Sequence, residues 1–251
     1  MQASEIVTAN VSQAPEKPGP IASWGHMLGF LLIMAGTAYF GFRAQQATGS
    51  GDAATAGQLA SHGNAIRIYL VAGFMDWALL YYCWVGVHKR GGNLRTLSGG
   101  RWTSWSSLAT DVGIAVPFWA LWESTAYAVN WLLGPRSGKT VDSLLPQSVL
   151  EIVLWIAVSI TAGFCEELAF RGYLQKQFHA ASGSIALAVL AQALVFGLAH
   201  GYQGWKAVIV ISALGALYGV LAAWRRNLRI NIVAHAATDI WEGWLKFVIL
   251  R

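Results

Sequence analysis

The chain has 251 residues, 55% of them apolar and only 12% charged, against about 25% in a typical soluble domain. With 13 tryptophans, 27 glycines and a positive mean hydropathy, this composition excludes an ordinary soluble globular protein and points to a polytopic membrane protein. The net charge of +5 does not indicate a nucleic-acid partner, because the basic residues fall between apolar runs rather than on one soluble face.

The first segment, 1–21, is polar and Pro-containing and lacks the basic start and apolar core of a signal peptide. It reads as a flexible tail ahead of one all-α transmembrane domain, residues 22–251. A spanning helix needs about 20 mostly apolar residues. Seven stretches meet this, roughly 22–42, 66–88, 107–133, 147–170, 184–200, 206–224 and 230–249, giving a helical bundle of about seven spans without an internal repeat. Between the second and third spans, "HKRGGNLRTLSGGR" carries four Lys or Arg and no acid. "RRNLR", between the last two, carries three. Both loops are expected on the cytoplasmic side, which puts the N-terminus in the cytoplasm and the C-terminus outside. Trp102, Trp105, Trp205 and Trp224 fall at expected interfaces, as an aromatic belt requires. Cys83 and Cys165 lie in apolar segments and form neither a disulfide framework nor a metal-ligand pattern.

Several residues do not belong in lipid. "GFCEELAFRGYLQ" places Glu166, Glu167 and Arg171 within six positions, and one charge at the bilayer centre costs about 3 kcal/mol on insertion scales. Glu167 and Arg171 are four apart and share a helix face, so an ion pair lowers the cost of both. Glu166 is turned about 100° away and cannot use that geometry. Its carboxylate points elsewhere. On the next two polar stretches, Phe196 and His200 are four apart in "FGLAH", and His235 and Asp239 are four apart in "HAATD". A single intramembrane acid or imidazole reads equally well as a hydrogen-bonded core residue. Three helices that offer acid, imidazole, and imidazole plus carboxylate read as one convergent site.

That set suits peptide hydrolysis. A carboxylate beside an imidazole can hold a water and take its proton. A second imidazole with a carboxyl group can stabilise the tetrahedral oxyanion. The three motifs resemble those of the CPBP intramembrane protease family, which includes the type II CAAX prenyl endopeptidases and the Abi proteins. Its pattern is Glu-Glu-x-x-x-Arg, then Phe-x-x-x-His, then His-x-x-x-Asn or Asp. The match runs over roughly residues 145–245. The resemblance implies glutamate-dependent proteolysis in which Glu166 and His200 activate water. It further implies that His235 and Asp239 stabilise the oxyanion, with Glu167, Arg171 and Phe196 in support. Asp239 stands where the prenyl proteases carry Asn.

The expected substrate is therefore a membrane-anchored or hydrophobic peptide, with a prenylated C-terminal segment as one form of it. The expected location is the lipid bilayer of a bacterial plasma membrane. No cofactor is expected. Zinc is the alternative, since Glu, His, His and Asp are competent ligands, although the His-Glu-x-x-His signature is absent. Two other classes fit the same residues: a non-catalytic scaffold or immunity protein on this fold, and a proton- or ion-coupled transporter. Asp76, Asp111 and Glu123 in the early spans read as helix–helix hydrogen-bonding groups, Glu151 as an interfacial residue, and Glu242 with Lys246 as a local ion pair. His26, His62, His88 and His179 are assigned no role.

Overall fold

The computed structural model describes residues 18–49, 62–100, 103–134 and 145–249. Among these every regular element is helical: α1 (Trp24–Gly49), α2 (His62–His88), a short α3 (Leu94–Ser98), α4 (Trp105–Leu133) and α5 (Val149–Glu167). A π-helical segment (Leu168–Leu174) continues α5 into α6 (Gln175–Ser182). Then come α7 (Ile185–Ala199), a 3₁₀ turn (Gly201–Gln203), α8 (Trp205–Arg225) and α9 (Arg229–Ile249). The all-helical class expected from the composition holds. Four legs are long and apolar enough to cross a membrane: Trp24–Gln46, Asn64–His88, Val149–Ser182 and Trp205–Arg225. Ile185–Ala199 is apolar but short, and α4 and α9 fall outside that group. The count of seven expected from apolar runs is thus met by four on length and composition. Polar residues such as Asp111, Glu123, Asp239 and Glu242 dilute the others.

Charge and capping chemistry define one end of the bundle. The Leu228 amide donates to Ser98 O at 2.9 Å, which ties the α8–α9 turn to α3. Gly99 lies at φ 72°, and a Cβ there would meet Arg226 O, so the close approach requires glycine. The Lys176 ammonium caps α3 at Thr96 O and, at 3.2 Å, Leu97 O. The Gln177 side chain accepts from the amides of Ile21 and Ala22 just ahead of α1. Asp111 of α4 takes Arg225 at 3.3 Å and Arg229 at 2.8 Å. This end therefore gathers the starts of α1, α4 and α9 with the ends of α2 and α8. At the opposite end, Gly41 of α1 packs against the Tyr202 backbone and Gly201 against Phe42. Glu151 caps α5 there by accepting from the Gln147 amide at 2.7 Å.

The burial pattern is that of a protein in lipid. Phe40, Phe74, Tyr127, Trp131, Leu132 and Val149 project outward, while Glu167, Arg171, Gln175, Gln192, Asn231 and His235 are buried. Trp105, Trp205 and Trp224 are exposed at helix ends, as an aromatic belt would place them. Trp102 and the side chain of Lys246 lie outside the described residues, and so does the tail over 1–17.

Small residues let helices touch where the polar groups are. At Gly163, a Cβ would come within 2.7 Å of the Ala236 amide nitrogen and 3.0 Å of Ile232 O, so α5 and α9 meet backbone to backbone. At Gly215, a Cβ would lie 3.0 Å from Ala193 Cα, so α7 and α8 meet in the same way. Glu167 is one turn beyond Gly163, and His235 adjoins Ala236. The first contact therefore sets the spacing of two motifs.

Candidate active site

Glu166 and Glu167 sit at the C-terminal end of α5, immediately before the π-helical turn. Wide turns of this kind recur at functional sites because they re-aim side chains. Here the two neighbours part company. Glu167 is fully buried, whereas 17% of the Glu166 side chain is accessible.

Glu167 Oε1 accepts from Arg171 Nη1 at 2.8 Å, the pair expected from the i,i+4 spacing. It also does what the spacing could not reveal. A carboxylate can only accept, so His235 donates its Nδ1 proton to Glu167 Oε1 at 2.9 Å, and Asn231 Nδ2 donates to Oε2 at 3.1 Å. Arg171 lies 4.4 Å from the Phe196 ring centroid and 5.3 Å from that of Tyr218, held between two aromatic faces. The Tyr218 ring stacks on His235 at 5.5 Å and 19°. Glu167 is thus a hub that fixes both Arg171 and the orientation of His235.

With Nδ1 committed to Glu167, His235 turns Nε2 the other way. Nε2 is 3.7 Å from Glu166 Oε2 and 3.7 Å from Asp239 Oδ2. Both gaps exceed a direct hydrogen bond. They suit an atom inserted between the groups better than a closed ion pair. His200 caps the C-terminus of α7, and its Nδ1 lies 2.8 Å from Phe196 O. A carbonyl only accepts, so Nδ1 carries the proton and Nε2 of the neutral ring has the lone pair. The Phe196 ring separates the two imidazoles, 4.9 Å from His200 and 6.1 Å from His235.

Glu166, His200, His235 and Asp239 all line one cavity of about 270 Å³, with Phe196 in its wall. The structure therefore brings together the polar residues of all three motifs, while Glu167 and Arg171 lie behind the wall. Simple counting puts His200 near one membrane face and His235 near the other. The cavity runs deep enough to reach both. The sequence reading did not include Asp76 of α2, which also lines the cavity and lies close enough to interact electrostatically with Glu166, His235 and Asp239. Its bland reading as a helix–helix contact is replaced by a place in the wall. The available signal was the general rule that an intramembrane acid is functional by default. Asp111 keeps the bland role, bound by Arg225 and Arg229. Trp155 was also missed. It lines the cavity and donates to Asp239 O at 2.7 Å. His26, left without a role, has its Nδ1 2.7 Å from the Tyr173 hydroxyl, remote from the cavity residues. Among the described residues, no group of three or more His, Cys, Asp or Glu is placed to hold a metal ion.

Residues 148–241 match the family model for type II CAAX prenyl endopeptidases, Rce1-like. This part of the chain is similar to an Rce1-like domain. The boundaries coincide closely with the 145–245 over which the motifs resemble the CPBP proteases, and the suspected family stands. The Rce1-like family is one of membrane proteases, and four apolar helices agree with an integral membrane protein. No curated protein and no solved structure matches the chain. Helices α1 to α4 lie outside the match, so the wall that carries Asp76 and Trp122 comes from the sequence that precedes the matched region.

Proposed function

We propose that the protein is an intramembrane endopeptidase that hydrolyses a peptide bond in a membrane-anchored or hydrophobic substrate without a metal ion. One observation carries the reading: the polar residues of three separated motifs line a single cavity, with Glu166 Oε2 and Asp239 Oδ2 each 3.7 Å from His235 Nε2.

In this mechanism Glu166 and the free Nε2 of His200 hold a water molecule. Glu166 takes one proton as the water oxygen attacks the scissile carbonyl carbon. The carbonyl π bond breaks and its electron pair moves to oxygen. His235 Nε2–H stabilises that oxyanion together with a protonated Asp239. Such a ring carries protons on both nitrogens, and the Nδ1 proton is the one held by Glu167. Collapse of the intermediate breaks the C–N bond, and Glu166 returns its proton to the leaving nitrogen. The products are a carboxylic acid and an amine. Arg171 and Phe196 act through Glu167 and the imidazoles and touch no reacting atom.

The test is a proteomic comparison of membrane-protein termini between cells carrying the wild type and cells carrying Glu166→Gln. New termini that depend on Glu166 would support the reading. Identical terminomes, with equal amounts of folded protein, would sink it.

A further inference from the structure

We infer that the catalytic cavity opens on the face of the membrane opposite the cytoplasm, so that its substrate is a membrane-anchored protein presented from the outer side. The inference rests on the protease reading for its chemistry, but its geometry is independent of it.

The argument starts from the two ends of the bundle. Segments 89–104 and 225–229 carry seven Lys or Arg and no acid. The fold brings these two segments together through the Leu228–Ser98 hydrogen bond and the Gly99–Arg226 contact, and Lys176 adds its charge there. At the other end, the described segments 145–148 and 200–204 carry no Lys, Arg, Asp or Glu. Arg43, Arg67 and Lys206 lie in the helix ends nearby. Short loops rich in Lys and Arg stay in the cytoplasm, and acids count little in this rule. Two loops fused into one basic face cannot be oriented separately. The whole face goes to the cytoplasm together.

The cavity runs toward the other end. Behind His235 lie Glu167, Arg171 and Tyr218, all buried and none of them lining the cavity, with Phe196 in its wall. Asp239 lies ten residues beyond Arg229 on α9, a rise of about 15 Å, or half of the ~30 Å hydrocarbon core. His235, six residues beyond Arg229, is the deepest lining residue on α9, and from there the wall continues away from the basic face. It takes in Ile68 and Tyr69 in the first two turns of α2, Trp155 in the second turn of α5, and Tyr202 and Gln203 in the loop after α7. None of the residues 89–104 or 225–229 lines it. A peptide that enters this cavity comes from the side of the 200–204 loop. A prenylated C-terminal segment held at the cytoplasmic leaflet would meet the basic face, none of whose loop residues lines this cavity.

The experiment labels single cysteines with a membrane-impermeant maleimide in intact cells and in inverted vesicles. Val149→Cys reports the cavity end and Leu94→Cys the basic end; both positions are exposed, and neither belongs to the site. The wild type is the blank, because Cys83 and Cys165 are buried. Val149→Cys should label in intact cells and Leu94→Cys only after inversion, each by at least about tenfold over the blank. The reverse pattern would overturn the inference whatever the enzyme cleaves. A second arm expresses two single-span reporter peptides, with the scissile segment near the outer or the inner face, beside wild type or Glu166→Gln. Glu166-dependent cleavage of the outer reporter alone supports the inference. Cleavage of the inner reporter alone overturns it and leaves the protease reading intact. Cleavage of neither would overturn the protease reading, and with it the substrate named here, while the labelling still decides the orientation.

Discussion

Glu166 and Glu167 are adjacent in sequence and alike in chemistry, yet they belong to two different regions. Behind the wall the Glu167 carboxylate is saturated. It accepts from Arg171, His235 and Asn231 at 2.8 to 3.1 Å. The cavity wall is left loose. Glu166 Oε2 and Asp239 Oδ2 each stand 3.7 Å from His235 Nε2, with 17% of the Glu166 side chain and 36% of the Asp239 side chain accessible. Buried polar groups in a low-dielectric interior are either satisfied or costly. A fold that completes one carboxylate and leaves its neighbour incomplete has separated a structural role from a chemical one. The two carboxylates part because successive residues of α5 are turned about 100° from one another, just ahead of the π-helical segment.

The sharpest way to break the contrast is Glu167→Gln. It removes the charge partner of a buried arginine and turns one of two acceptor oxygens into a donor, so Arg171, His235 and Asn231 are no longer all satisfied. Breaking a buried ion pair from one side typically costs about 3–5 kcal/mol. The variant should melt well below wild type in detergent and should also lose activity, because His235 is no longer oriented. Unchanged thermal stability would refute the structural role. Glu166→Gln should do the opposite. Stability should stay close to wild type while the rate falls at least ~100-fold, the usual worth of a general base. His200→Ala should be equally slow, and the double variant no slower than either single one, because groups that act as a unit are not additive. Multiplying losses would show that the two residues work separately.

The contact that holds the two regions in register can be tested next. Gly163→Ala places a methyl against the Ala236 amide nitrogen and Ile232 O, both backbone atoms that cannot swing aside. Overpacking of this kind costs about 1–3 kcal/mol. It should also move α5 away from α9, lengthening the Glu166–His235 gap. The expected result is a moderate loss of stability with a disproportionate loss of turnover. A stable and fully active Gly163→Ala would mean that this helix contact does not set the site.

What could be read in advance divides along the same line. The i,i+4 pair of Glu167 and Arg171 lies within one helix, so spacing alone revealed it. The hydrogen bond from His235 to Glu167 crosses between α5 and α9, 68 positions apart, and depends on a glycine contact that no local pattern announces. The three motifs were legible because each places chemistry at helical spacing inside an apolar run. Asp76 was not, because a lone acid on a helix without a partner motif looks the same whether it faces a neighbour or a cavity. The all-helical class followed from composition. Of the seven spans expected, four pass on length and composition among the described residues; α7 is short, and polar residues weaken the apolar signal of α4 (Asp111, Glu123) and α9 (Asp239, Glu242).

The smallest expected effect falls on the loosest member of the wall. Asp239 lies one turn beyond His235, with Oδ2 at 3.7 Å from Nε2, and its backbone carbonyl is pinned by Trp155. The backbone position is thus fixed independently of the side chain. In the proposed chemistry the side chain supplies a proton to the developing oxyanion. Asn has nearly the same shape, carries two amide donors and bears no charge. Asp239→Asn should therefore keep activity within a few-fold of wild type. It should also flatten any loss at high pH, because ionisation of Asp239 would replace a donor with a repelling charge. Asp239→Ala should lose roughly 100- to 1000-fold, as removal of one oxyanion donor does elsewhere. A pH–rate profile of purified wild type and both variants on one cleavable membrane peptide makes the comparison. If Asp239→Ala equals wild type, Asp239 leaves the mechanism. If Asp239→Asn is folded but inactive, the negative charge itself is required. Asp239 would then act by polarising His235, and the closed and open halves of the site would both be electrostatic supports for one imidazole.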